Sequence, residues 1–289
     1  MSEPGTTDAS DTSTAAREVW RLIEPIHTVT YFSPESHQAI GACGFKGFWM
    51  GYFAARSAPL GPVGPGPVEA TFYNFAPDRV RRALPDAWTY ATPEAAMDAR
   101  LAGAEQALTR AVADRSPGAD DAAALAPVVD VLERCAEAAS PDGRPLFAAQ
   151  RSAPRPERLI GRLWQAATSL REHRGDGHVA ALVTLGIAGR ESHVLAAARR
   201  GKTEAGFYSS FRDYSDEEWR DRQADLRSRG IVDGEGLLTG EGQSLVQHLE
   251  DVTDLRAAPA YASLTADELG AIREVLSPIT AAAKPEAAG

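Results

Sequence analysis

The stretch 215–253 constrains the fold more than any other part of the chain, because each of its boundaries is marked by local chemistry. Residues 215–229 (SDEEWRDRQADLRSR) open on a serine and an acidic first turn and close on basic residues before Gly230. Both ends suit the partial charges of a helix, so a helix is expected there. An apolar pair (Ile231, Val232), a Gly/Asp turn and a second apolar pair (Leu237, Leu238) then predict a tight β-hairpin. Thr239 is placed to cap a closing helix over 241–253.

Elsewhere the chain is punctuated for helices. Val19, Leu22, Ile23 and Ile26 form a helical stripe over 17–31 despite Pro25. Ser33, Pro34 and Glu35 open a helix expected to run to residue 56. Residues 60–67 (LGPVGPGP) form a loop, and 68–75 suit a short strand or the entry to a helix. An Ala-rich helix is expected over 92–114, a linker over 116–121, and helices over 124–139 and 156–173. Gly175-Asp176-Gly177 is expected to turn the chain before short helices at 178–185 and 190–200, with a polar loop over 201–214.

A self-similarity runs through this order. Residues 53–59 (FAARSAP) recur as 147–154 (FAAQRSAP), Ala70-Thr71 as Ala167-Thr168, and Asp78, Ala83 and Leu84 as Asp176, Ala181 and Leu182. The expectation is a mainly α fold of two related helical halves, an internal duplication spanning 17–115 and 122–275. The hairpin lies in the second half, with a disordered arm over 1–16 and a tail over 281–289.

The formal net charge of −10 opposes a general coating of nucleic acid or anionic membrane, which needs a basic surface. Two distant cysteines, Cys43 and Cys135, exclude a disulfide framework and suit a reducing cytoplasm. The N-terminus lacks the basic and apolar regions of a signal peptide. The apolar run 39–55 carries Lys46 at its middle and reads as a buried helix, so no membrane partner is expected.

The segment 170–178 (LREHRGDGH) concentrates ionisable groups. Capping by Asp176 and dipole contacts from His173 and Arg174 explain part of it. The remainder suggests a site in which His173, His178 and Asp176 move protons and Arg174 holds a polar group. The histidine spacing is not that of a helical metal pair, so no metal is assigned. Four glycines, Gly41, Gly44, Gly47 and Gly51, weaken the 33–56 helix. They suit either close helix packing or backbone approach to a ligand, with His37, Tyr31 and Arg56 facing the same space. No nucleotide-binding, P-loop, zinc-protease or nucleophile-elbow motif occurs, and the cofactor is unknown.

The order helix, L-x-x-R-G-I-V, hairpin, L-T-x-E-G, helix resembles the wing region of MarR-like winged helices, centred on residues 226–242. Residues 31–35, 52–61, 70–75 and 170–178 resemble signature stretches of an actinobacterial, SalK-like helix-turn-helix family. The resemblance implies a helix-turn-helix fold and carries no catalytic residues with it. In a DNA-binding version Arg220, Arg222, Arg227 and Arg229 would face phosphates. The same helix carries Asp216, Glu217, Glu218, Asp221 and Asp225, and the hairpin carries Asp233 and Glu235, so DNA is disfavoured. The function expected is a winged-helix-derived, small-molecule-binding protein, whether or not it is an enzyme, with its pocket between the halves. The alternative is a dimeric, MarR-like regulator that senses a small ligand.

Overall fold

The computed structural model describes residues 9–202 and 215–284. These form thirteen α-helices: α1 (Ala9–Phe32), α2 (Pro34–Gly41), α3 (Gly47–Ser57), α4 (Pro65–Phe72), α5 (Pro77–Arg81), α6 (Pro93–Arg115), α7 (Ala122–Ala138), α8 (Pro145–Arg151), α9 (Leu159–Thr184), α10 (Gly189–Arg199), α11 (Asp216–Ser228), α12 (Gly240–Ala257) and α13 (Ala266–Ala283). No single helix among the described residues is long and apolar enough to cross a membrane.

Helix α9 is the axis, with α1, α6, α7, α8 and α12 packed around it. Its apolar residues Leu163, Trp164 and Leu170 join Ile23 and Ile26 of α1, Leu132 of α7 and Leu276 of α13 in the largest core. A second core gathers Phe53, Phe72, Phe75 and Leu146 beneath α3 and α4. A third packs Leu182, Leu195, Trp219, Leu226, Ile231 and Leu249, joining the end of α9 to α10, α11 and α12.

Several sequence expectations are realised locally. Ser33 accepts the Ser36 amide at the start of α2, Thr92 caps α6, and Ser215 and Glu218 form a reciprocal capping box on α11. Thr239 caps α12 as expected. That helix is not the last. Thr265 and Glu268 open α13, which runs through residues 281–283 of the expected tail. At the other end, α1 begins at Ala9, within the expected arm.

Other expectations are corrected. The helix expected over 33–56 breaks between Gly41 and Gly47, where Gly44 and Gly47 adopt φ of 82° and 75° that only glycine takes cheaply. His37 and Gly51 therefore do not share one helix face. The expected turn at 175–177 is continuous helix. A Cβ on Gly177 would lie 2.5 Å from the Arg144 guanidinium, so this glycine admits a neighbouring side chain. The hairpin shrinks to one antiparallel bridge, Val232 to Leu238, and no strand forms among the described residues. Asp233 draws the amides of Glu235 and Leu237 onto its carboxylate, making a turn too compact for longer pairing. The internal duplication is not supported either. Asp78 lies in a five-residue helix and Asp176 deep within a helix of 26 residues. Ala70-Thr71 lies in α4 and Ala167-Thr168 in α9.

Helices α2 and α6 approach closely because Gly103 leaves room, a Cβ there falling 2.6 Å from the Ser36 Cα. Gly103→Ala should lower the unfolding free energy by about 1–3 kcal/mol through overpacking. Chemical denaturation checks this, and an unchanged midpoint would contradict the close approach.

Candidate functional site

Helix α9 carries Arg171, Glu172, Arg174 and Asp176 into the interior. Glu172 is 3% exposed and accepts a bond from Arg171 Nη1 at 2.9 Å, with Arg56 Nη2 at 3.6 Å. Burial alone would raise its carboxyl, but Arg171, Arg56 and Arg100 together hold it below its ordinary value. Among the described residues its Oε1 has no partner. Arg56 donates to the Tyr52 hydroxyl at 3.2 Å and stacks 4.2 Å over the Phe72 ring, while its buried Nε meets no partner among the same residues. The same holds for the buried Tyr31 hydroxyl, which burial pushes up to about 12.

These groups border a cavity of about 490 Å³ between α1, α3, α4, α9 and α10. Phe48, Tyr52 and Phe72 form an aromatic side, while Asp176 and His178 line the side given by α9. Tyr73 closes one end in a left-handed conformation (φ 54°), its hydroxyl donating to the Ile187 carbonyl at 2.5 Å. Such backbone strain in a non-glycine residue recurs at ligand sites. Gly189 accommodates the strained loop, since a Cβ there would meet the Tyr73 carbonyl oxygen at 2.0 Å.

Of the residues singled out in the sequence, Tyr31, Arg56, Asp176 and His178 line this cavity. The Asp176 carboxylate does cap a helix, but the helix is α8: its Oδ2 accepts the Leu146 and Phe147 amides, both at 3.0 Å. Burial still raises its carboxyl to about 6. His178 lies 3.0 Å from the Thr253 hydroxyl through Nδ1, and burial lowers it to about 4. His173 points elsewhere, its ring packed edge-on against Phe147 at 4.9 Å, and burial lowers it to about 3. Arg174 faces α12, bonding Asp254 and Glu250 at 2.8 Å and stacking 4.1 Å over Trp20. His37 is exposed on α2, with Nε2 2.7 Å from the Tyr31 carbonyl oxygen. Among the described residues no group of three His, Cys, Asp or Glu is arranged to hold a metal.

Glu172, Tyr52 and Tyr73 line the cavity without having been expected there. Glu172 stood in plain view within the 170–178 cluster. The contribution of Tyr52 and Tyr73 arises from packing that no local motif records.

A family model described as a helix-turn-helix family matches residues 16–288. The chain belongs to this helix-turn-helix family. Comparison with the curated proteins and with the solved structures finds no match.

In this family member, most arginines of the helix before the bridge are engaged internally. Arg222 pairs with Asp225 at 2.7 Å. Arg227 donates to the Asp233 and Gly234 carbonyls, both at 2.9 Å, and so clamps the turn. Arg229 reaches the Gly186 carbonyl at 3.2 Å and the Glu191 carboxylate at 3.3 Å. Arg220 is exposed.

The raised Asp176 carboxyl makes a signed prediction. Its contribution to stability is full below the ordinary aspartate value and is lost as pH rises through about 6. Asp176→Asn keeps an acceptor for both α8 amides but does not titrate. The stability of the unaltered protein relative to this variant should therefore rise as pH falls from about 6 to about 4. Unfolding curves across that window measure it, and a flat difference would refute the raised value.

Proposed function

We propose that this helix-turn-helix protein binds a small organic molecule in the cavity bounded by Tyr31, Tyr52, Arg56, Glu172, Asp176 and His178. The carrying observation is that Tyr31 Oη, Arg56 Nε and Glu172 Oε1, all on residues lining this cavity, are buried without a partner among the described residues. Each such group costs roughly 1–3 kcal/mol when left unsatisfied. The cavity pairs an aromatic side (Phe48, Tyr52, Phe72) with a strongly polar one (Arg56, Glu172, Asp176), a combination that suits a ligand with both an apolar body and a polar head.

The charge of Arg56 is already opposed by Glu172, which favours a neutral polar group over a free anion. Such a group would accept from Arg56 Nε and donate to Glu172 Oε1, as a carboxamide or hydroxy-ketone does, while its apolar body lies against Phe48 and Phe72. His178, lowered to about 4, adds a neutral imidazole to the lining, and Asp176, raised to about 6, adds a carboxyl committed to the α8 amides.

Family membership favours a second reading, DNA recognition through α11 and the bridge. The engaged Arg222, Arg227 and Arg229 and the acidic turn oppose it. Phosphate binding would rest on Arg220 or on breaking these contacts.

Benzamide, with one donor and one acceptor on an apolar ring, is a suitable probe. Saturation-transfer NMR should give a signal with the unaltered protein that falls at least about fivefold in Glu172→Met, a loss of about 1 kcal/mol. Equal signals in both proteins, or none in either, would refute the reading. Salt-dependent, sequence-specific DNA binding lost in Arg220→Ala would favour the second one.

A further inference from the structure

Across the wall formed by Tyr31, Phe48 and Tyr52 lies a second, smaller chamber of about 300 Å³. Its lining is mostly apolar, with Ile40, Phe45 and Phe48 prominent, yet it includes Thr30, Tyr31 and Arg100. Arg100 is 2% exposed and comes from α6. It donates to the Gln150 side-chain oxygen at 3.2 Å and lies near the Ala55 carbonyl at 3.5 Å. Its guanidinium stacks 4.9 Å from the Trp164 ring. Among the described residues no carboxylate pairs with it. The nearest-acting acid, Glu172, is already shared by Arg56 and Arg171.

A buried cation without an anionic partner is costly, and its neighbours here add to the deficit. Arg100 Nε and Thr30 Oγ1 are both buried and unpaired among the described residues, and Thr30 is itself 2% exposed. Two unsatisfied donors and an unmatched positive charge thus share an apolar chamber. A planar guanidinium suits a carboxylate, whose two oxygens accept from its fork.

We propose that this chamber is a site for an organic acid, with the carboxylate on Arg100 and Thr30 and an aryl or short alkyl body against Ile40, Phe45 and Phe48. The site is separate from the larger cavity, since Glu172, Asp176 and His178 do not line it. It therefore does not rest on the reading given above.

The test is isothermal titration of 3-phenylpropionate against the matched neutral alcohol, 3-phenylpropanol. The acid should bind at least about tenfold more tightly, equivalent to about 1.4 kcal/mol. Arg100→Gln should abolish that preference, and Arg100→Lys should keep part of it. Thr30→Val is isosteric and buries no new polar atom, so it should fold normally and weaken the acid several-fold. Three results would each overturn the proposal: no binding of the acid, equal binding of acid and alcohol, or an undiminished preference in both Thr30→Val and Arg100→Gln. A failure here leaves the benzamide result on the larger cavity to be read independently.

Discussion

A charge drawn into a protein interior costs several kcal/mol unless an opposite charge or aligned hydrogen bonds stand beside it. Helix α9 draws in four within six residues, and the neighbouring elements are arranged to answer them. Glu24 of α1 reaches Arg171 at 3.2 Å, and Arg56 of α3 approaches Glu172. Asp254 and Glu250 of α12 take Arg174, while the first amides of α8 take Asp176. Breaking one partner of such a buried pair costs about 3–5 kcal/mol, so the contacts of Arg171 with Glu24, of Arg174 with α12 and of Asp176 with α8 fix which helices surround α9 and at what height.

The same helix links the cavity to α10 and α12. Arg174 and His178 both contact α12. Arg199 of α10 shares Glu250 with Arg174 at 2.8 Å. The residues that line the cavity and those that hold α10 and α12 in place therefore alternate along one rigid element. Arg174 is answered by Asp254 and Glu250 on the α12 side, whereas on the cavity side Glu172 Oε1 and Arg56 Nε lack partners among the described residues. That asymmetry supports the proposed binding site.

Much of the local structure was legible in the sequence because caps act over a few residues. Ser33, Thr92, Ser215 and Thr239 each begin the helix they announce. The glycines misled, because a glycine reads the same whether it turns the chain or makes room. Gly44 turns it, whereas Gly177 lies inside α9 to admit Arg144. The repeat misled because short Ala-rich matches say nothing of the partners that decide helix length. For the site, Tyr31, Arg56, Asp176 and His178 were identified from their ionisable or hydrogen-bonding groups and now line one cavity. His173, one residue past Glu172, is turned about 100° round the helix and packs on Phe147 instead.

The central claim is that the Arg56–Glu172 pair is kept for a ligand and not for the fold. Equilibrium denaturation of the double variant Arg56→Met, Glu172→Met tests it most directly, because apolar residues of similar length remove both charges together. The account predicts an unfolding free energy equal to or above that of the unaltered protein, as found when under-satisfied buried pairs are replaced. A loss of about 3 kcal/mol or more would show the pair to be structural and would contradict the account.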